Sequence, residues 1–156
     1  ERCAHAGGHR AGNVSHANDR NRSIELKLLE PLFGLAGISF LSIQRELRGD
    51  DAAVLARHAN VTQFGAEFAD MADTAALLAL ADLTISVDTS VVHLAGALGQ
   101  PVWVMLPFAP DWRWTPSNDD GDKSAWYPQA RLFRQPTLGD WPSVVARVRA
   151  ELARPA

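Results

Sequence analysis

The chain reads as an α/β protein, a doubly wound parallel sheet between two helical layers (three-layer α/β/α). Three observations predict it. Short β-rich runs alternate with helical stretches from residue 24 onward, the order that builds a parallel sheet covered on both faces. The run "LTISV" (83–87) is apolar enough to be buried on both sides. A length of 156 residues with 47% hydrophobic content suits one domain with a substantial core. Right-handed crossovers wind such a chain doubly, and ligands then bind at the carboxyl ends of the strands.

The elements follow in order. Residues 1–23 are polar, rich in Gly, His, Asn and Arg, and carry neither helical nor strand periodicity. "IELKLLEPLFGL" (24–35) has helical spacing, with Ser23 as its cap and Pro31 expected to kink or divide it. "ISFLSI" (38–43) is a strand. "DDAAVLARHA" (50–59) is a helix with acids at its positive end. "VTQF" (61–64) is a strand, and "DTAALLALA" (73–81) is a helix capped by Asp73 or Thr74. "LTISV" is followed by the helix "VVHLAGAL" (91–98), with Gly99 at its left-handed end. "PVWVML" (101–106) is a strand. Residues 107–130 hold four prolines, three tryptophans and an acidic patch, a stretch long enough to be functional. "RLFRQ" (131–135) is the fifth strand, and "DWPSVVARVRAELA" (140–153) is the closing helix, capped by Asp140 with Pro142 in its first turn.

Net charge is -3, which makes no bulk electrostatic case for nucleic acid or an anionic membrane. The single Cys3 allows no internal disulfide and fits a reducing compartment, so a cytoplasmic location is expected. No apolar run is long enough to span a bilayer, and no signal-peptide core opens the chain. The start at Glu1 reads as a piece of something longer.

"SVDTSVVHLAGALGQP" (86–101) holds the chemistry. A helix N-terminus offers unpaired N–H groups and the positive end of the macrodipole, a phosphate site to which the hydroxyls of Thr89 and Ser90 add donors. Asp88 would repel a phosphate but suits sugar hydroxyls. His93, one turn further, faces either the ligand or the sheet. The plain alternative is a helix capped by Thr89 or Ser90, with a satisfied core histidine. In the triplet Trp112, Arg113 and Trp114, the aromatics suit stacking on a base or sugar and the arginine suits phosphate, or the tryptophans seal a face against a partner domain. "NDDGD" (118–122) reads as a solvated loop, and its spacing fits no calcium loop. His5, His9 and His16 match no closed metal set, so no metal site is expected.

Residues 85–114, "ISVDTSVVHLAGALGQPVWVMLPFAPDWRW", closely resemble family 9 glycosyltransferases, the heptosyltransferase-like group. The family pattern D-T-[GSA]-x-x-H-L-A-x-A-L-G-x-P is met from Asp88 through Pro101. "PFAPDWRW" and "WYPQARLFRQP" resemble a subgroup attached to tetratricopeptide repeats, and "GNVSHANDRNRSI" (12–24) is similar to the loop after the first strand of that domain. The resemblance covers about residues 12–150. It implies a GT-B architecture of two Rossmann-like domains with a cleft between them. This chain would be the C-terminal half, which binds the nucleotide-diphosphate sugar, while the acceptor site and catalytic base lie on the other half. On that reading residues 24–156 form the nucleotide-sugar-binding domain, no complete catalytic set lies in the chain, and no cofactor is needed. Thr89 and Ser90 fall where the donor diphosphate is met, Asp88 where the family's acid contacts the donor, and His93 inside the same motif. Arg22 falls near the family's basic residue, which neutralises the departing diphosphate; Asn13 lies in the same loop, with His16 and Asn18 as weaker candidates. Read without the family, Arg20 and Arg22 are solvated loop charges. The expected partners are the donor, the missing N-terminal half and tetratricopeptide repeats.

The chain departs from the family in residues 1–11, "ERCAHAGGHRA", which contain no Val, Ile, Leu or Phe where an apolar first strand is expected. So polar a stretch fits a central strand poorly. The expectation is a sheet without a proper centre, open to a homodimer through the gap. The alternatives in function are a binding or regulatory module that lost transfer, a structural domain docking a repeat region, and, as a fallback, a sugar-phosphate isomerase or epimerase.

Overall fold

The computed structural model describes the strand Arg2–His5 and residues 23–115 and 121–154. The elements are β1 (Arg2–His5), α1 (Leu26–Phe33), β2 (Ile38–Ser42), α2 (Asp51–Ala56), β3 (Val61–Gln63), α3 (Met71–Leu80), β4 (Leu83–Val87), α4 (Ser90–Ala97), β5 (Val102–Leu106), a 3-10 turn (Trp112–Trp114), β6 (Ala130–Arg134) and α5 (Trp141–Leu152). The six strands form one sheet in the order β3-β2-β1-β4-β5-β6, every neighbouring pair parallel. This is the doubly wound α/β fold expected from the alternation of elements. Strand order reverses between β1 and β4, and in open α/β sheets the carboxyl side of such a reversal is where ligands bind.

The polar N-terminus corrects one expectation. Arg2–His5 is the central strand, pairing Arg2 to Ala4 with Ile38 to Phe40 on one side and Ala4 and His5 with Leu83 and Thr84 on the other. Two backbone ladders hold it, and backbone hydrogen bonding does not depend on side-chain type. No gap remains between β2 and β4 for a second chain to fill, so the homodimer expected through a disrupted sheet has no opening there.

Side chains alternate cleanly across the sheet. Val102, Val104 and Leu106 of β5 join Leu132, Leu78 of α3 and Val91, Val92 and Ala95 of α4 in one apolar layer. Ile85, Val87, Met105 and Phe133 point the other way, into a layer with Leu29 and Leu32 of α1, Val54 of α2 and Val144, Val145 and Val148 of α5. The alternation is the two-residue period of a strand. It explains why β4, sandwiched between both layers, is buried from Thr84 through Val87.

Helix ends follow local chemistry, with three corrections. α3 starts at Met71: the Asp70 carboxylate accepts from the amides of Ala72 and Asp73, and Asp73 Oδ2 reciprocates to the Asp70 amide. Asp73 is thus the second half of a capping box rather than the cap itself. α1 opens after Glu25, not Ser23, with no side-chain cap, and runs unbroken through Pro31, which lies in its last turn. Asp140 caps α5 as expected, accepting from the Ser143 amide at 3.1 Å and its hydroxyl at 2.6 Å, bonds that hold its carboxyl below the usual range. α4 ends as expected at Gly99, with φ +72°, while the Gln100 amide donates back to Ala95 O at 3.0 Å.

One buried side chain ties two loops together. Gln135, just past β6, accepts through Oε1 from the amides of Phe108 (3.2 Å) and Gly139 (2.9 Å). The segment after β5 is thereby fastened to the turn that leads into α5.

Candidate functional site

The turn between β4 and α4 lies at the carboxyl edge of the sheet, beside the reversal of strand order. Thr89 is the N-cap residue of α4, extended at φ -145° and ψ 173°, yet its side chain makes no cap hydrogen bond. Its Oγ1 lies 3.3 Å from Ser86 Oγ, which in turn donates to Val87 O at 3.0 Å. The capped-helix alternative therefore fails for Thr89: the hydroxyl is held back toward the strand, leaving the first-turn amides uncovered by it. Ser90, the first residue of the helix, is exposed.

Asp88 is buried, with 8% of its surface exposed. Its Oδ1 lies 3.7 Å from His93 Nε2. The other imidazole nitrogen, Nδ1, lies 3.0 Å from the Tyr127 hydroxyl. The His93 ring stacks on Trp114, centroids 5.3 Å apart at 21°. His93 thus packs on the aromatics Trp114 and Tyr127 rather than on the sheet, with Nε2 toward the acid of the turn.

The tryptophan triplet divides. Trp114 is buried under the site, whereas Trp112 is exposed and meets the exposed Trp126 edge-on at 5.9 Å. Arg113 lies over the Trp112 ring at 5.4 Å, with its Nε 3.4 Å from Asp111 Oδ1. Alternate turn positions point apart because a 3-10 helix has three residues per turn.

Beside the turn, a cleft of about 120 Å³ lies between the end of β2 and the starts of α3 and α4, lined by Ile43, Arg45, Phe68, Asp70, Met71, Thr74, Ser90 and Val91. It is well below the several hundred Å³ of a whole small-molecule pocket. At the far end of the sheet, Arg134 donates through Nε to Gly121 O at 3.0 Å. Burial lowers its guanidinium pKa against the opposing pull of Asp122.

Arg22, Asn13, His16, Asn18 and Arg20 lie outside the described residues, as do His9 and most of the 118–122 patch. Among the described residues, no group of three or more His, Cys, Asp or Glu gathers as a metal site, and no helix is long and apolar enough to cross a membrane. Two residues escaped the sequence reading. Tyr127, the chain's single tyrosine, sits 34 positions from its partner. Its available signal was Gly96, a glycine inside a helix three residues after His93, which marks a close approach. Arg45 was signalled by its place just beyond a strand's carboxyl end.

Part of the chain, the turn included, is similar to known sugar transferases. The model of glycosyltransferase family 9 (heptosyltransferase) matches residues 52–118, a span that contains Asp88, Thr89, Ser90, His93 and the tryptophan triplet. Among individual proteins, FlbA of Caulobacter vibrioides is 30% identical over 129 residues, which cover 80% of this chain and 21% of that protein. The structure of E. coli heptosyltransferase WaaC with ADP superposes with a TM-score of 0.62 at 17% identity, over 99% of this chain and 44% of that one. This likeness shows a Rossmann-like fold of the GT-B type. The chain spans about a fifth of FlbA and less than half of the heptosyltransferase.

Proposed function

We propose that this chain is the donor-binding, C-terminal half of a GT-B glycosyltransferase, and that it takes a nucleotide-diphosphate sugar. The observation that carries the reading is the uncapped start of α4 beside a buried acid, within the segment matched by the family 9 model. Its positive end favours a diphosphate. Ser90 adds a hydroxyl donor, and Asp88 accepts from the sugar. The presence of ADP in the structurally similar heptosyltransferase supports a nucleotide there.

In the transfer, the bond from the sugar's anomeric carbon to the diphosphate oxygen breaks and a bond to the acceptor oxygen forms. The acceptor proton passes to a base on the other half of the enzyme. Negative charge builds on the departing diphosphate, and fixed donors at the helix start stabilise it without a metal or cofactor. Arg22 and Asn13 belong to the same donor set. The full polypeptide is expected to be cytoplasmic and joined to tetratricopeptide repeats. The exposed Trp112, Trp126 and Phe108 favour a second reading, a module that docks the rest of the polypeptide without transfer.

Calorimetric titration of the chain with ADP and UDP tests the proposal. Ser90→Ala should weaken binding of both about fivefold or more, the worth of one hydrogen bond, whereas Asp88→Ala should weaken to that extent only the nucleotide-diphosphate sugars titrated alongside them. Binding indifferent to both changes would refute it and favour the docking module.

A further inference from the structure

We infer that Tyr127 is a positioning residue that fixes the tautomer and ring plane of His93, so that the imidazole presents an N–H beside Asp88. The two ring nitrogens have different neighbours: Nδ1 lies 3.0 Å from Tyr127 Oη, and Nε2 lies 3.7 Å from Asp88 Oδ1. A carboxylate only accepts hydrogen bonds, and a neutral imidazole carries one N–H. With the proton on Nδ1, the Nε2 lone pair would face the carboxylate. With the proton on Nε2, the N–H points to Asp88 and the bare Nδ1 accepts from the phenol. Asp88 sets the preference, and the Tyr127 hydroxyl, which can donate or accept, reinforces it by donating to the bare Nδ1 and holding the ring in place. The 3.7 Å separation is an ion-pair distance and long for a direct bond, so the Nε2–H also remains available to a ligand oxygen.

The space for the phenol is built into α4. Gly96 follows His93 by three residues, on the same helix face. A Cβ there would meet Tyr127 Cγ and Cδ1 at 2.5 Å. An interior glycine weakens a helix, yet this one leaves the room the ring occupies. Trp114 stacks against the imidazole and holds its plane. The consequence for ligands rests on the donor-binding reading: His93 meets the sugar or diphosphate as a hydrogen-bond donor.

Long-range ¹H–¹⁵N spectra of the whole chain test this, with His93→Gln to assign the ring signals. At a pH where the imidazole is neutral, wild type should show a bare Nδ1 and a protonated Nε2. Tyr127→Phe should lower the tautomer ratio by up to about fivefold, the worth of one hydrogen bond, and draw the two nitrogen shifts together. Gly96→Ala, which keeps the phenol but displaces it, should do the same. A protonated Nδ1 in wild type, or unchanged shifts in both variants, would overturn the inference. ADP added to the same samples separates the two ideas. If the tautomer responds to Tyr127→Phe while ADP leaves the wild-type spectrum unmoved, the donor-binding reading fails and the positioning role stands. If ADP binds but the ratio ignores both variants, the positioning role alone fails.

Discussion

Gly96→Ala sets two effects of opposite sign against each other. Alanine in a helix interior is favoured over glycine by about 1 kcal/mol. Against this, the new Cβ would lie 2.5 Å from two Tyr127 ring carbons and 3.0 Å from a third. Carbon contacts are optimal near about 3.5–4.0 Å, so the ring must retreat by about 1 Å. It cannot swing freely, since its amide is held by Ser124 Oγ at 3.3 Å and its hydroxyl by His93. Overpacking of this kind costs about 1–3 kcal/mol, and the lost phenol contact adds about 1 kcal/mol. The net expectation is a loss of about 1–3 kcal/mol, or about 2–12 °C in Tm for a domain of this size. Urea melts of wild type, Gly96→Ala, Tyr127→Ala and the double variant measure it. In the Tyr127→Ala background the alanine should turn neutral or stabilising, giving a coupling energy of at least about 1 kcal/mol. A Gly96→Ala chain more stable than wild type by about 1 kcal/mol would refute the packing argument.

The two tryptophans of the triplet should behave oppositely. Trp114→Ala, at 1% exposure, should cost about 3–5 kcal/mol, whereas Trp112→Ala, at 66% exposure, should stay within about 0.5 kcal/mol in the same melts. Arg131 Nη1 donates to Glu151 Oε2 at 2.7 Å, joining β6 to α5 and holding the Glu151 carboxyl below its usual value of 4.5. The stabilisation is therefore complete above the unfolded value and fades as pH falls through the lowered folded one. The stability gap between wild type and Glu151→Gln should be constant above about pH 5 and shrink below it; a gap unchanged down to pH 2 would refute the pairing.

What the sequence disclosed depended on how local the determinants were. β4 and β5 were legible because their apolar runs record burial on two faces. The cap of α5 was legible because Asp140 and Ser143 lie within one turn. β1 was not, since Arg2–His5 has no strand-like composition and owes its place to ladders with residues 38–40 and 83–84. The start of α3 slipped by two residues because Asp70 and Asp73 are both good caps, and only geometry shows that each serves the other. At the site, Asp88, Thr89 and Ser90 stood out as a contiguous motif at a strand end, and the family 9 match spans them. The Tyr127 contact joins segments 34 residues apart, and Gly96 marks a close approach on α4 without saying which residue makes it.

The two amides gathered on Gln135 Oε1 make the Trp-bearing rim and the closing helix a single lever. Any tilt of α5 against the sheet is handed on to Phe108, and from there along the chain toward Trp112 and Trp114.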